Sequence, residues 1–411
     1  MKHLLRALGQ SNFRIYFIGQ SASLVGTWMQ QIALAWLVYR LTGSPFMLGL
    51  ASFAGHIPIL FLAPLGGLWA DRFDRRRSML VTQVLSLIQA AVLAGLTFAG
   101  TVEVWHLLVA AAFLGVVNAI DTPLRQSFLL ELVGSREHLP NAIALNSLMM
   151  NASRLVGPPI AGIVLALAGE AWCFLLNALS YLAVIASLAA IRVCGLPRKP
   201  HTQGWLAGLK EAAHFAWDFL PSRTMLALVA LVSFFANPYA SLMPVFARDI
   251  FEGGADLLGI LVGAGSVGAV TGVLYLASRK HVAGLEALVP VAAGCAGIGL
   301  LVFSQSPWFG LSLAALPLIG FGIMVNTASA NMILQSVVPD QMRGRLVSFH
   351  VVAFLGIAPL GHFVSGWIAE HFGARSALAI GGICCLLGAG WFASRLNALR
   401  AQLLPHYSTQ K

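Results

Sequence analysis

Long apolar runs separated by short polar or basic breaks recur along the chain from residue 15 to residue 396. A bilayer core takes about 20 apolar residues per helix. The pattern predicts twelve spans, at 15–39, 46–70, 78–99, 104–127, 141–168, 171–192, 223–247, 257–278, 285–304, 308–335, 346–369 and 375–396. Backbone groups inside lipid must bond within their own segment, so helices are the economical choice for such runs. Gly157-Pro158-Pro159 and Asn237-Pro238 interrupt two of them and are tolerated where neighbouring helices cover the freed carbonyls. The longest polar break, Val193 to Ser222, carries Pro197-Arg198-Lys199-Pro200 and divides the spans six and six. Three parts follow: a six-helix bundle over 1–192, a cytoplasmic linker over 193–222, and a second bundle with a short cytoplasmic tail over 223–411. Within the linker Trp205, Leu209, Ala212, Ala213 and Ala216 recur at helical spacing against Lys210, Glu211 and Asp218, which predicts an interfacial helix.

Composition fixes the solvent. The 411 residues are 58% hydrophobic and 10% charged, with mean hydropathy +0.81, where soluble domains carry roughly 25% charged residues. So much apolar sequence has no place in a water-solvated core. The net charge of +10 does not signal nucleic acid, because no basic strip is interleaved with aromatic residues. It sorts by side instead. With the N-terminus inside, 21 of the 25 Lys and Arg fall in cytoplasmic segments, only Arg40, Arg248 and Arg375 lie opposite, and Arg154 sits within a span. That asymmetry places both termini in the cytoplasm. The five cysteines show no metal spacing and no secreted framework, so neither metal nor cofactor is expected. No cleavable signal peptide is visible. The bilayer is the partner that these features imply by themselves.

The break between spans two and three reads Gly67-Leu68-Trp69-Ala70-Asp71-Arg72-Phe73-Asp74-Arg75-Arg76-Arg77. It resembles the loop between the second and third helices of the major facilitator superfamily, Gly-x-Leu-Ala-Asp-Arg-x-Gly-Arg-Lys. Gly67, Ala70, Asp71, Arg72, Arg75 and Arg76 match, while Trp69 stands for Leu and Asp74 for Gly. The resemblance implies an all-α membrane fold of twelve helices in two pseudo-symmetric six-helix bundles. It also implies that Asp71, Arg75 and Asp121, near the end of span four, form a conformational latch together with Gly67, Arg72 and Arg76. A topology signal alone needs basic residues but no paired acid. A small-molecule substrate, protons as coupling ion and a monomeric state are expectations that rest on the same resemblance.

Span five carries Asn146, Asn151, Arg154 and Gly157-Pro158-Pro159-Ile160-Ala161-Gly162. This resembles the Gly-Pro-x-x-Gly-Gly motif of exporters in the same superfamily, with Ala161 in place of its first paired Gly. Gly157 and Gly162 permit close helix approach and Pro158 bends the helix. Arg154 lies roughly 20 Å into the span at about 1.5 Å per residue. A charge at that depth costs about 2.5–3.5 kcal/mol, so it implies function. None of the fifteen acids sits deep in a span, and an Arg without a counter-ion favours an anionic group of the substrate. The bland alternative is a structural Arg satisfied by carbonyls freed at Pro158 or by Asn amides.

Uncharged polar residues complete the candidate site: Gln20, Gln31 and Trp28 in span one, Asn118 in span four, Asn146 in span five and Asn326 in span ten. Each is as suited to joining helices as to touching substrate. Drug/proton antiporters of the superfamily have an Arg within span four, and this chain has none there. Proton coupling therefore falls to Asp121, His56 or His350, with His362 a further candidate. Asp121-Thr122-Pro123-Leu124-Arg125-Gln126, Leu139-Pro140-Asn141-Ala142-Ile143-Ala144-Leu145-Asn146 and Arg343-Gly344-Arg345 resemble the bacterial branch containing the enterobactin siderophore exporters. That likeness implies an inner-membrane exporter of small amphipathic, anionic molecules that works by alternating access. The alternatives are a proton-driven multidrug efflux pump for lipophilic drugs and a membrane sensor that binds without transport. No nucleophile and base recur at helical spacing, so an enzyme is not expected.

Overall fold

The computed structural model describes residues 6–135, 137–191, 214, 216–279, 281–338 and 340–408. The predicted linker helix lies outside the described residues apart from His214 and the stretch from Ala216 onward. So do the side chains of Asp71, Arg343 and Arg345. The described elements are all helices: α1 (Ser11–Thr42), α2 (Pro45–Arg72), α3 (Arg75–Phe98), α4 (Val104–Val133), α5 (Leu139–Ala168) and α6 (Glu170–Ala190). Then come α7 (Leu220–Ile250), α8 (Ala255–Ala277), α9 (Leu285–Gln305), α10 (Phe309–Val337), α11 (Leu346–Phe372) and α12 (Ala374–Ser394). A last helix, α13 (Leu396–Ser408), follows. Eleven of these are long and apolar enough to span a bilayer. The remaining long helix is α1, 32 residues whose apolar character is diluted by Gln20, Gln30 and Gln31.

Local chemistry sets the boundaries. Gly43, at φ +61°, closes α1 by donating its N–H to the Tyr39 carbonyl, a left-handed turn that a Cβ would strain. Asp74 caps α3, its carboxylate accepting from the Arg77 N–H at 2.8 Å. The departure of this loop from the superfamily pattern thus supplies a helix start. Two helices are irregular. α7 breaks at Asn237-Pro238 into a 3-10 turn and then a π turn over Phe246–Ile250. α11 widens into a π turn over Val352–Gly356. The two breaks meet, because Ser233 donates its hydroxyl to the Phe354 carbonyl and Asn237 Nδ2 donates to Ser233 Oγ at 3.1 Å. A carbonyl displaced by the π turn thereby finds a donor without water.

The chain divides into two compact units. Unit 1 comprises Met1–Gly43, Ala54–His201 and Ala247–Gly263; unit 2 comprises Ser44–Phe53, Thr202–Phe246 and Ala264–Lys411. Neither matches a sequence half completely. In unit 2 the first turns of α2 pack on α11, where a Cβ on Gly366 would lie 2.9 Å from the Gly49 Cα. In unit 1 the start of α8 packs on α5, with a Cβ on Gly162 3.1 Å from the Gly259 Cα. Small residues let backbones approach this closely. At the end of unit 1 that carries the basic loops, Phe13, Tyr16, Met79, Leu124, Phe128, Leu145, Val184 and Leu188 form an apolar core. Large apolar side chains such as Leu167 and Leu387 project outward, as lipid-facing positions do.

The C-terminal residues, expected only as a tail, fold as α13, whose Leu399 and Leu403, four residues apart, are fully buried. Its Arg400 Nε lies 3.3 Å from Glu286 Oε1 at the start of α9.

Candidate functional site

Arg154 is near the middle of the 30-residue α5. It is half-buried, and its guanidinium carbon lies 5.8 Å from the ring centroid of Trp28 on α1. Gly157 makes this possible. A Cβ there would stand 2.5 Å from the Trp28 Cβ, so only glycine lets the indole seat against α5 one turn from the arginine. Among the described residues no carboxylate pairs with Arg154 and no side chain accepts a hydrogen bond from it. A guanidinium over an indole face is held by cation–π attraction and keeps its donors directed outward.

The other residues singled out by sequence separate into two groups. Gln31 is exposed, and Asn118 and Asn146 are half-buried; none of their side chains bonds to another described residue. Gln20 is 2% exposed and its Oε1 lacks a partner among the described residues. Asn326 has no exposed surface and its Nδ2 donates to the Val289 carbonyl at 3.2 Å, joining α10 to α9. An amide enclosed in this way holds helices together. Gln30 does the same in unit 1, donating to Gln89 Oε1 at 2.9 Å and accepting from Asn177 Nδ2 at 2.8 Å.

The charged residues near the basic end of unit 1 find partners that their spacing does not announce. Asp121 is 3% exposed. It lies 2.8 Å from Arg125 Nε one turn later, and it accepts from Thr82 Oγ1 at 2.7 Å and Gln83 Nε2 at 3.0 Å. Arg75 Nη1 lies 2.7 Å from Glu131 Oε1. Arg76 donates to the carbonyls of Leu188 and Ala189 at 2.6 and 2.7 Å, capping the C-terminal end of α6, where a cation is favoured. Trp69, the other departure from the superfamily pattern, donates its indole N–H to Ser78 Oγ at 3.1 Å. Sequence reasoning misses Glu131 because of where span four is expected to end, and Arg125 because it counts toward the basic cytoplasmic side. Apolar content ends span four at 127, whereas the helix continues to Val133. Glu131 thus reads as loop.

The proton candidates differ in setting. His350 is buried and its Nε2 lies 3.0 Å from the Thr327 carbonyl, so that nitrogen carries the hydrogen. His362 Nδ1 lies 3.0 Å from Ser241 Oγ. His56 is exposed on α2 and has a partner of its own. At the opposite end of unit 1 a cluster unforeseen in sequence joins α1 to α6 and α7. Arg40 Nε lies 2.8 Å from Glu170 Oε1, and Tyr39 donates its hydroxyl to Asp249. Arg248 stacks on the Tyr39 ring at 5.7 Å.

Eleven helices long and apolar enough to cross a bilayer, with an arginine near the middle of one of them, define a polytopic membrane protein. The chain matches the transmembrane secretion effector family over residues 4–406 and belongs to that family, within the major facilitator superfamily. It is 26% identical over 397 residues to the staphyloferrin A transporter of Staphylococcus aureus, covering 95% of this chain and 98% of that protein. It is also 26% identical over 367 residues to the multidrug efflux pump Tap of Mycolicibacterium fortuitum, covering 87% and 89%. A crystal structure of a mutant of the nucleoside transporter NupG superimposes with a TM-score of 0.76 at 13% identity, over 94% of this chain and 99% of that one. At that identity the likeness is one of fold.

Proposed function

We propose that this transporter is an exporter of the bacterial inner membrane, with both termini cytoplasmic, that moves small amphipathic anionic molecules of siderophore type by alternating access coupled to protons. The observation that carries the reading is Arg154, near mid-helix on α5, stacked on Trp28 and without a carboxylate among the described residues. A guanidinium in that position offers paired donors to a carboxylate, catecholate or hydroxamate oxygen, and Trp28 offers a face to the apolar part of the cargo. Gln31, Asn118 and Asn146 have donors and acceptors left to complete the shell. The similarity to a siderophore transporter supports the substrate class. The Gly157-Pro158…Gly162 segment, which resembles an exporter motif, supports the direction. His56, Asp121 and His350 are the proton candidates, and His56 is the most exposed of them.

A second reading rests on the similarity to Tap: a proton-driven multidrug efflux pump for lipophilic drugs. Counterflow in proteoliposomes separates the two, with an anionic siderophore and a lipophilic cation each tested with and without a pH gradient. Saturable siderophore flux, responsive to the gradient and lost in Arg154→Ala, is the expected result. Undiminished siderophore flux in that variant would remove the anion-site reading. Flux of the cation alone would favour the drug pump, and binding without flux would make the protein a sensor.

A further inference from the structure

Around unit 2, at the end where α7 begins and α8 and α12 finish, three arginines lie against aromatic rings instead of acids. Arg223, in the first turn of α7, has its guanidinium carbon 5.8 Å from the Trp217 ring centroid. Arg279, just past α8, lies 5.3 Å from the Tyr275 ring and donates Nη2–H to the Tyr275 hydroxyl at 2.7 Å. Arg395, just past α12, lies 4.7 Å from the Trp391 ring. Among the described residues none of the three pairs with a carboxylate. The nearby acids are occupied elsewhere: Asp218 lies 3.6 Å from His214, and Glu286 takes Arg400.

The rings mark a depth. Trp391 and Tyr275 are within one turn of the ends of α12 and α8, and Trp217 is three residues before α7. Trp217 is 69% exposed and Trp391 is 38% exposed. Amphipathic rings at span ends occupy the boundary between headgroups and hydrocarbon. A guanidinium fixed over such a ring stands at phosphate level with most of its planar donors unspent, Arg279 giving one to Tyr275, and a phosphodiester matches that geometry. The basic end of unit 1 is different in kind, since Arg75, Arg76 and Arg125 are all engaged by acceptors of the protein itself.

We infer that Arg223–Trp217, Arg279–Tyr275 and Arg395–Trp391 are three binding positions for anionic phospholipid headgroups on the outer surface of unit 2. Each guanidinium takes the lipid phosphate and each ring packs at the glycerol level. This assignment is independent of the cargo.

The test is native mass spectrometry of the full chain in mild detergent, with dioleoyl phosphatidylglycerol or dioleoyl phosphatidylcholine added at equal concentration. Wild type should retain phosphatidylglycerol in preference. Each of Arg223→Gln, Arg279→Gln and Arg395→Gln should weaken its own position roughly fivefold and so lower the highest retained lipid count by one, and the three together should weaken every position roughly fivefold, from the usual effect of a basic residue at an anionic leaflet. Raising salt to about 0.5 M should weaken retention by wild type as well, which keeps the proposal open to refutation should the triple variant misfold. Equal retention of the two lipids by wild type, or full retention by a folded triple variant, would overturn the proposal. So would displacement of the lipid by inorganic phosphate at equal concentration, which would reduce the positions to simple anion sites.

Discussion

The two compact units differ in how much charge they enclose. Unit 1 keeps it inside: Asp121 with Arg125, Arg75 with Glu131, and Arg154 near mid-helix on Trp28. Among its described residues unit 2 encloses one acid, Glu286 at the start of α9 with Arg400, and otherwise fills its interior with polar groups such as Asn326 and Ser233. A charge away from water needs a partner or a purpose. In unit 1 two of these arginines have partners among the protein's acids, and the unpaired Arg154 is the one to which the purpose is assigned. On the proposed reading, recognition of a charged solute falls to unit 1, while the neutral amides and hydroxyls enclosed in unit 2 join helices at lower desolvation cost.

Substitutions in each unit can break this contrast. Asp121→Asn leaves Arg125 without its ion partner in an enclosed site, so thermal unfolding in detergent should show a loss of about 3–5 kcal/mol; a loss below about 1 kcal/mol would mean that the pair is solvated. Arg154→Ala should cut transport of an anionic cargo by roughly 10- to 100-fold, as loss of a charge-assisted contact does. It should also leave thermal stability unchanged or raised, since a costly charge has gone. Reduced stability together with reduced transport would instead mark Arg154 as structural. Asn326→Ala, in unit 2, should cost about 0.6–1.7 kcal/mol by the scale of interhelical hydrogen bonds in membranes, with little change in the affinity for cargo. Glu286→Gln should cost least, within about 1 kcal/mol, because the Arg400 side chain is 45% exposed. Faster proteolytic removal of α13 would be its readout.

Much of the architecture is legible in the sequence. The span from Leu285 to Gln305 falls within one residue of its expected place, and α5 and α6 begin and end within two. The larger errors lie at the basic ends. There α4 runs on to Val133 and α13 forms where the pattern suggests a tail, because hydropathy registers where lipid stops and not where a helix stops. The candidate site is legible in part. Arg154 and Trp28 do come together, and Gly157 is the reason they can. Asn326 and Gln30 look the same on paper as Asn118 and Gln31, yet the first two are enclosed by neighbouring helices.

Sequence by itself determined the number and order of the membrane helices, because a bilayer requires long apolar segments that satisfy their own backbones. It also determined that one arginine stands near mid-span. Only the tertiary structure decided which acid each arginine meets, which amides are sealed between helices, and that α7 and α11 mend each other's broken turns. Those choices depend on atoms far apart in the chain, and a polar group withdrawn from water takes whatever partner packing brings within about 3 Å.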